Sequence, residues 1–342
     1  MKNIVKEITQ YNMKTVYTCS SVYNVLLAVY IVLILQDYEN AYIVMFSPEK
    51  KILNAFYAFS VKMEKLGIKN IVINKHTKFH RMIGLSDIAN NIALKRVLSE
   101  LNVKKNDFLL VNFSWNQRMV RYPASIYLRC CKEAIFIEEG ATQWITPDEK
   151  VWYRFLKKVY GNQTEFWKIN KVKSIYVQQP TKFPDYLSHK LVDFKIDKCF
   201  EKVKEDTKDM LLEIFSDSKS GEEIRQIEQL NGIIFTQPIS EDGFVTEKEK
   251  IRIYTKLARF YLQYGTIALK IHPRDTTDYQ IENVHIIKGS YPSELLSILG
   301  IRFKFAIGLC TSAIETVDAD IKINLNEKFL SELKFELQEI EL

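Results

Sequence analysis

Short apolar segments rich in β-branched and aromatic residues alternate with helix-like segments along almost the whole chain. The apolar segments include AYIVMFS, NIVIN, DFLLVNF and AIFIEEG in the first half, and GIIFTQP, TIALKIHP and FKFAIGL in the second. Stretches of helical length separate them, for example residues 50–66 and 246–264. Neighbouring strands joined through helices are parallel, so this alternation predicts parallel βαβ units.

The length and one irregular region predict the domain organisation. A chain of 342 residues exceeds one ordinary hydrophobic core, which favours two domains. We predict an N-terminal Rossmann-like domain over residues 1–165, an inter-domain region over 166–205 and a C-terminal Rossmann-like domain over 206–342. The predicted fold class is α/β, with two doubly wound halves and a cleft between them. In such sheets, ligands bind at the carboxyl ends of the strands.

Charge and cysteine content restrict the partners and the compartment. The net charge of +6 suits an anionic small molecule or membrane surface, and no nucleic-acid motif accompanies it. The five cysteines form no C-x-x-C pair, which argues against a disulfide framework or zinc site and favours a reducing cytoplasm. No signal peptide is predicted. The segment VLLAVYIVLIL is too short to span a bilayer and predicts a buried helix, with a peripheral membrane contact as the alternative.

Acidic residues follow one predicted strand in each half. Glu138 and Glu139 close the strand AIFIEEG. Because neighbouring side chains of an extended chain point in opposite directions, one glutamate is expected to face the cleft as a general base. In TQPISEDG, Glu241 and Asp242 follow a strand that ends at a proline. An ordinary solvated turn explains either stretch equally well.

The segment KIHPRD ends another strand with a cluster of cationic groups. The strand stops at His272, because Pro273 has no backbone N–H to donate to the ladder. A protonated imidazole between Lys270 and Arg274 would create a local surplus of positive charge. Such a cluster is suited to a phosphate group, to which His272 would donate a proton or hydrogen bond. A surface histidine with solvated neighbours is the alternative.

Small hydroxyl residues lie at two junctions between a strand and a helix. Ser20 and Ser21 form one junction, and Thr311 and Ser312 form the other. Hydroxyl groups at such positions cap the helix, and the free N–H groups beside them can bind phosphate. In YPSELL, Glu294 is placed to hold ribose hydroxyls or to serve as an ordinary first-turn acid.

The order of these motifs resembles that of the bacterial lipooligosaccharide and capsule sialyltransferases, which are related to the bacterial polysialyltransferases. Those enzymes carry a D/E-D/E-G motif, an HP motif and a Ser/Thr motif. Glu138–Gly140, His272-Pro273 and Thr311-Ser312 stand where those motifs would. The resemblance covers most of the chain in order and spacing. It implies a GT-B fold with an N-terminal domain on the acceptor side and a C-terminal domain for the nucleotide donor.

The resemblance also implies the reaction. Sialic acid would move from CMP-sialic acid to a hydroxyl of a galactoside or sialoside, with inversion, in the synthesis of a capsule or lipooligosaccharide. The base would be an acid of the first motif, Glu139 or Glu138, or an acid after the proline, Asp242 or Glu241. The family often has Asp in its first motif where both acids here are Glu, so the identity of the base stays open.

The resemblance assigns roles to the remaining candidates in the same way. His272 would protonate or hydrogen-bond the departing CMP phosphate. Thr311 and Ser312 would hold that phosphate, and Glu294 the ribose. The full set of expected substrate-binding residues is Lys270, Pro273, Arg274, Glu294, Thr311, Ser312, Ser20, Ser21 and Gln237.

A metal-independent reaction without a cofactor is expected, since His, Lys and helix N-termini can stabilise the leaving phosphate. The D-x-D pattern at Asp318 to Asp320 lies at a predicted strand start and is interpreted as structural. Two alternatives stay open. One is another GT-B glycosyltransferase that uses a UDP-sugar or CMP-Kdo, and the other is a non-catalytic protein that binds a nucleotide or a sugar.

Overall fold

A computed structural model shows two compact units, Met1–Cys199 and Phe200–Leu342. Each unit contains one sheet, of seven strands in the first and five in the second. The strand pairs of the described residues are parallel, as the alternation of strands and helices predicts. The structure describes residues 1–74, 85–113, 123–138, 170–183, 185–195, 199–200, 203–216, 224, 226–288, 291–311 and 313–325.

The first unit is built around a sheet with the strand order β3-β2-β1-β4-β5-β6-β7. The order reverses beside β1, so β1 and β4 flank the point where the chain changes its direction across the sheet. In chain order, the elements are α1 (Lys2–Tyr11), β1 (Thr15–Cys19), α2 (Val22–Leu35), β2 (Ala41–Phe46), α3 (Lys50–Lys65), β3 (Asn70–Ile73), α4 (Leu85–Glu100), β4 (Leu109–Asn112), α5 (Pro123–Cys130), β5 (Glu133–Ile137), β6 (Val172–Val177) and β7 (Leu191–Asp193).

Helix α2 confirms that the most apolar segment of the chain is a buried helix. Its residues from Val25 to Leu33 are buried. The helix follows β1 and packs against β1 and β2, so this segment is covered by its own sheet. Among the described residues, none of the helices has the length and hydropathy needed to cross a bilayer.

The second unit repeats the same arrangement with fewer strands. Its sheet has the order β10-β9-β8-β11-β12, which reverses between β8 and β11. A core of Ile, Leu, Tyr and Phe side chains joins the sheet to the long helix α7. In chain order, the elements are α6 (Glu205–Phe215), β8 (Gly232–Phe235), α7 (Glu247–Tyr261), β9 (Ile267–Lys270), β10 (Val284–Ile287), α8 (Glu294–Ile298), β11 (Arg302–Leu309), α9 (Ala313–Thr316) and β12 (Asp318–Leu325).

The region 166–205 differs from the expected inter-domain region. Its described part contains β6 and β7, which complete the first sheet, and the boundary of the two units lies at Cys199 and Phe200. Strand β6 belongs to the first unit because Ile175 and Val177 bury their side chains in the core of that unit. The alternation of segments in the sequence also predicts helices over 148–160 and 327–337, and both lie outside the described residues.

Candidate functional site

The carboxyl ends of the strands in the second unit bring together most of the charged residues singled out in the sequence. Strands β8 and β11 pair in parallel at the reversal of the sheet, and β9 pairs with β8 on its other side. Open α/β sheets bind ligands at such a reversal, beyond the carboxyl ends of the strands. We call the segments Thr236–Asp242, Lys270–Asp275 and Cys310–Thr311, which follow or end these three strands, the charged edge.

His272 lies at the charged edge, two residues after the end of β9, and two hydrogen bonds fix it. Its backbone N–H donates to Thr236 Oγ1 at 2.9 Å. Its ring Nδ1 accepts the backbone N–H of Arg274 at 3.0 Å. A nitrogen that accepts an N–H carries no proton, so the neutral ring holds its proton on Nε2. The imidazole is therefore a hydrogen-bond donor through Nε2–H.

The protonated imidazole expected from the sequence is not the form that the free protein holds. Burial lowers the pKa of His272 to about 4, and the charges of Arg274 and Lys270 contribute in the same direction. Asp275 and Asp242 act in the opposite direction and do not outweigh burial. The sequence showed the neighbouring cations, whereas the dominant cause, loss of water around the ring, requires the fold.

Lys270 is the last residue of β9 and is buried at 4% exposure. Its Nζ lies 4.0 Å from the centroid of the Tyr291 ring, a cation–π contact. Glu294, at the start of α8, is also buried, and it accepts the hydroxyl of Thr316 at 3.3 Å. Burial raises the pKa of Glu294, against the opposing effects of its hydrogen bonds and of Lys270. The structure thus places Lys270 and Glu294 close enough for their charges to interact.

The two acids of TQPISEDG have different surroundings. Glu241 accepts Lys250 Nζ at 2.7 Å and both the N–H and the hydroxyl of Thr276. These donors outweigh partial burial and hold the pKa of Glu241 at about 2, so this carboxylate is a weak base. Asp242 instead forms a bidentate salt bridge, in which its two carboxylate oxygens accept the Arg274 guanidinium at 2.8 and 3.0 Å.

A buried ion pair beneath the charged edge was missed in the sequence. Lys250 Nζ lies 2.8 Å from Asp275 Oδ1, and both side chains are 0% exposed. Asp275 also accepts the hydroxyls of Thr236 and Tyr279, at 2.7 and 3.0 Å. One sequence signal could have revealed the pair, because Lys250 occupies the first position of the buried stripe of α7, where an apolar residue is the norm.

The turn after β11 brings Thr311 back towards its own strand. Cys310 adopts a left-handed conformation with φ of 49°. A Cβ on Gly308 would overlap Cγ2 of Thr311, so the absence of a side chain at Gly308 permits this approach. The Thr311 hydroxyl accepts the backbone N–H of Ala313 at 3.2 Å. This cap is the local role expected of the residue, and Ser312 lies outside the described residues.

Gln237 and Pro273 complete the predicted residues of the charged edge. The backbone N–H of Gln237 donates to the Tyr254 hydroxyl at 2.7 Å, which ties the end of β8 to α7. Pro273 is half-buried in the turn after His272. In this turn, the Asp275 N–H donates to the carbonyl of His272 at 2.9 Å.

The strand ends of the first unit carry mostly neutral groups among the described residues. Ser21 caps α2 by accepting the Asn24 N–H at 3.2 Å, and the Asn24 side chain accepts the N–H groups of Ser20 and Ser21. Thr18 donates its hydroxyl to Asn112 Oδ1 at 2.6 Å between β1 and β4. The structure therefore places Ser20 and Ser21 in a helix cap.

Glu138 follows β5 and is fully buried in the first unit. One of its carboxylate oxygens accepts the backbone N–H of Gln178. Its own N–H donates to the carbonyl of Tyr176 at 2.9 Å, so the backbone continues the pairing of β5 with β6. This burial argues against Glu138 as the base. Glu139 lies outside the described residues.

Within the described part of the chain, no group of three or more His, Cys, Asp or Glu residues is placed to hold a metal ion. Asp318 starts β12, and Asp320 pairs with Arg302 of the neighbouring strand. The D-x-D pattern thus lies at a strand start, as predicted. Independence from metals stays a prediction.

Comparison with known proteins identifies the family and the fold. The family model of glycosyltransferase family 52 matches residues 38–324. A relative from Haemophilus influenzae is 26% identical over 266 residues, which cover 76% of this chain and 82% of the relative, and it is described as an uncharacterized protein.

Two solved structures of sialyltransferases resemble the chain over most of its length. The 2,6-sialyltransferase of Photobacterium sp. JT-ISH-224, in a complex with CMP and lactose, matches with a TM-score of 0.55 at 12% identity, over 91% of this chain and 71% of that one. The GT-B domain of the sialyltransferase from Photobacterium damselae matches with a TM-score of 0.51 at 12% identity, over 90% and 89%. At this identity the likeness concerns the fold, and it confirms the predicted GT-B class.

Proposed function

Because this chain belongs to glycosyltransferase family 52, we propose that it transfers sialic acid from CMP-sialic acid to a hydroxyl of a galactoside or sialoside, with inversion. The observation that carries this proposal is the charged edge. There, Lys270 ends β9 with a buried ammonium group, and His272, two residues later, offers the donor Nε2–H. Phosphate oxygens are the ligands that such donors favour.

The proposed reaction is a single displacement. The bond between the anomeric carbon of sialic acid and a phosphate oxygen of CMP breaks, and its electron pair stays on the phosphate. A bond forms between the same carbon and the acceptor oxygen, whose proton passes to the base. Since the transition state resembles an oxocarbenium ion, charge builds up on the departing phosphate and needs a donor.

His272 is the proposed donor to the departing phosphate. In the free protein its ring is neutral, because burial lowers its pKa to about 4. A bound phosphate anion would raise this pKa, because a nearby opposite charge favours the protonated form. His272 thus serves first as a hydrogen-bond donor through Nε2–H. Lys270 supplies positive charge to the same phosphate, and Thr311 and Ser312 hold it.

Glu139 is the proposed base, with Asp242 as its competitor. Two observations support this choice among the four acids of the sequence. Glu138 is fully buried and engaged by a backbone N–H. The pKa of Glu241 is held at about 2 by its hydrogen bonds, so it is a poor proton acceptor. Asp242 would have to exchange its pairing with Arg274 before it accepted a proton.

The remaining contacts and the setting belong to the same proposal. Glu294 holds the ribose, and Gln237 and the serines Ser20 and Ser21 are assigned to substrate binding. The acceptor is a surface glycan of the capsule or lipooligosaccharide class. The reaction takes place in the cytoplasm, with a peripheral contact at the inner face of the membrane, and it needs no metal ion.

A donor panel tests the proposal. The protein is incubated with CMP-sialic acid, CMP-Kdo and UDP-sugars, each with a set of galactosides and sialosides and with or without EDTA. Mass spectrometry detects the product, and NMR of the new linkage reads its anomeric configuration. We expect transfer from CMP-sialic acid alone, unaffected by EDTA and with inverted configuration. Turnover of a UDP-sugar instead, or loss of transfer with EDTA, would contradict the proposed donor or the metal-free mechanism respectively.

A further inference from the structure

A chain of directed hydrogen bonds connects the buried ion pair to His272. Lys250 donates to Asp275, and Thr236 donates its hydroxyl to the other oxygen of Asp275 at 2.7 Å. The Thr236 oxygen, with its hydrogen committed to Asp275, accepts the backbone N–H of His272 at 2.9 Å. Its members come from three segments: Lys250 from α7, Thr236 from the residue after β8, and His272 and Asp275 from the turn after β9.

This series of hydrogen bonds is buried, which keeps its geometry fixed. Lys250, Thr236 and Asp275 are each at most 1% exposed, so water cannot replace a missing partner. Among the described residues, the Asp275 carboxylate also accepts the Tyr279 hydroxyl and the Thr277 N–H at 3.0 Å each, so it has at least four donors. A buried carboxylate with this many donors has one favoured position, because each displaced donor loses a partner.

A second connection holds the imidazole itself. The N–H of Arg274 donates to Nδ1 of His272, and the Arg274 guanidinium is held by Asp242. The backbone of His272 is therefore fixed by Thr236, and its ring is fixed by Arg274. The charged groups that act on the ring are Arg274, Asp275, Lys270 and Asp242.

We infer that Lys250, Asp275 and Thr236 are positioning residues, which act through the backbone of His272 to aim its Nε2–H at the departing phosphate. The mechanistic role of His272 rests on the proposed function. The position and tautomer of the ring do not depend on the proposed function, because both are measured without a substrate. A misplaced donor lowers the rate more than it lowers substrate binding, because alignment counts most in the transition state.

Two threonines of the second unit provide a matched pair of variants. Thr236→Val removes the hydroxyl that links Asp275 to His272 and keeps the shape of the side chain. Thr277→Val makes the same chemical change two residues after Asp275, at a side chain that is also buried. Among the described residues, the Thr277 hydroxyl has no hydrogen-bond partner, so its loss leaves the chain of hydrogen bonds intact. Thr236→Ser restores the hydroxyl.

The ring is followed by NMR of protein labelled with ¹⁵N-histidine, and the His272 signals are those absent from His272→Ala. In the unmodified protein we expect Nδ1 unprotonated and Nε2 protonated. In Thr236→Val the backbone of His272 loses its anchor, which should weaken the contact between the Arg274 N–H and Nδ1. Both tautomers should then appear, and the pKa of His272 should rise by about 1 or more towards its ordinary value. Thr277→Val and Thr236→Ser should match the unmodified protein. Signals of Thr236→Val identical to those of Thr277→Val would overturn the inference.

Kinetics with CMP-sialic acid adds a second readout. For Thr236→Val we expect kcat to fall about tenfold or more with KM within about threefold, and for Thr236→Ser a kcat within about threefold. A rise in KM with unchanged kcat would contradict a positioning role. If the unmodified protein transfers no sialic acid, the proposed function fails. The NMR comparison then decides the inference about the ring by itself.

Discussion

The first sheet, in the order β3-β2-β1-β4-β5-β6-β7, and the second, in the order β10-β9-β8-β11-β12, reverse at equivalent places. At the reversal of the first unit, the described polar groups pair with one another. Thr18 bonds Asn112, and Ser21 caps the helix that follows. At the reversal of the second unit, Lys270 and His272 are set among ionised groups. The same sheet topology therefore has neutral, mutually paired side chains at its reversal in one unit and charged side chains beside its reversal in the other.

Under the proposed function, this difference favours the second unit as the one that binds the nucleotide. A sheet reversal offers a crevice in both units, but fixed donors with positive charge beside them bind phosphate more strongly than neutral groups alone. The second unit supplies them on short segments braced by the buried Lys250–Asp275 pair. The described strand ends of the first unit include a neutral helix cap after β1, a buried glutamate after β5 and an exposed Asp193–Lys195 pair at the end of β7.

The identity of the base tests how the chemistry is divided between the units. Glu139→Gln keeps the shape and removes the charge, so turnover of CMP-sialic acid should fall by roughly 1,000-fold, within the range of general-base catalysis. Asp242→Asn is the matched variant in the second unit and should retain most turnover. CMP affinity, measured by calorimetry, should change little in both. An active Glu139→Gln with an inactive Asp242→Asn would move the base to the second unit.

Removal of the proposed phosphate donor is the next largest effect. His272→Ala should lower kcat by about 100-fold or more, because the departing phosphate loses a hydrogen bond in the transition state. His189→Ala is the control, since His189 is exposed in the first unit. A His272→Ala protein with near-normal kcat would remove this residue from the mechanism.

Lys270 tests whether the charge of the second unit binds the nucleotide. Lys270→Met keeps most of the apolar contact with Tyr291 and removes the ammonium. CMP affinity should fall by about 10- to 100-fold, the usual value of a charged hydrogen bond in a buried site. Lys288→Met is the control, because Lys288 forms an exposed pair with Asp278 in the same unit. Equal affinities of the two variants would place the nucleotide elsewhere.

Strand ends were easier to predict than the network behind them. The alternation of segments predicted parallel sheets, which the structure confirms. KIHPRD predicted a strand that ends at His272, whereas β9 ends two residues earlier, at Lys270. The charge state of His272 was wrong, because burial depends on neighbours far along the chain. Asp275 stood within the quoted motif, but its partner Lys250 lies 25 residues away on α7. The order of residues in the sequence does not show that these two side chains contact each other in the fold.

Helix α1 and strands β6 and β7 show a second limit of sequence reasoning. Strand β7 has three residues and no buried one, so it lacks the alternation that identifies a strand. Helix α1 buries only Ile4 and Ile8 among ten residues. Both elements depend on the rest of the first unit, and short elements of this kind carry little local signal.

The smallest expected effect is a difference between the two units in how acid changes their thermal stability. His272 has a folded pKa of about 4, below its ordinary 6.5, so the unfolded chain binds more protons between these values. The free energy of unfolding of the second unit should therefore fall as the pH drops from 6.5 to 4. Its midpoint of thermal unfolding should fall by roughly 5 °C.

Hydrogen exchange of individual peptides on heating reports the units separately, with peptides of β1 and β2 for the first unit and peptides of β8 and β9 for the second. On acidification through this range, the thermal midpoint of the second unit should move below that of the first. The His272→Ala variant should lose this separation. Transitions that stay together in the unmodified protein would contradict the assignment of a buried neutral histidine.

Hydrogen exchange measured with and without CMP tests most directly whether the charged edge is the nucleotide site. Peptides that contain Thr236–Asp242, Lys270–Asp275 and Cys310–Thr311 should exchange more slowly when CMP is bound, because the nucleotide fixes these segments and covers their N–H groups. Peptides with Ser20 and Asn112, at the reversal of the first unit, should be unchanged. Protection at the first reversal with none at the charged edge would contradict the account.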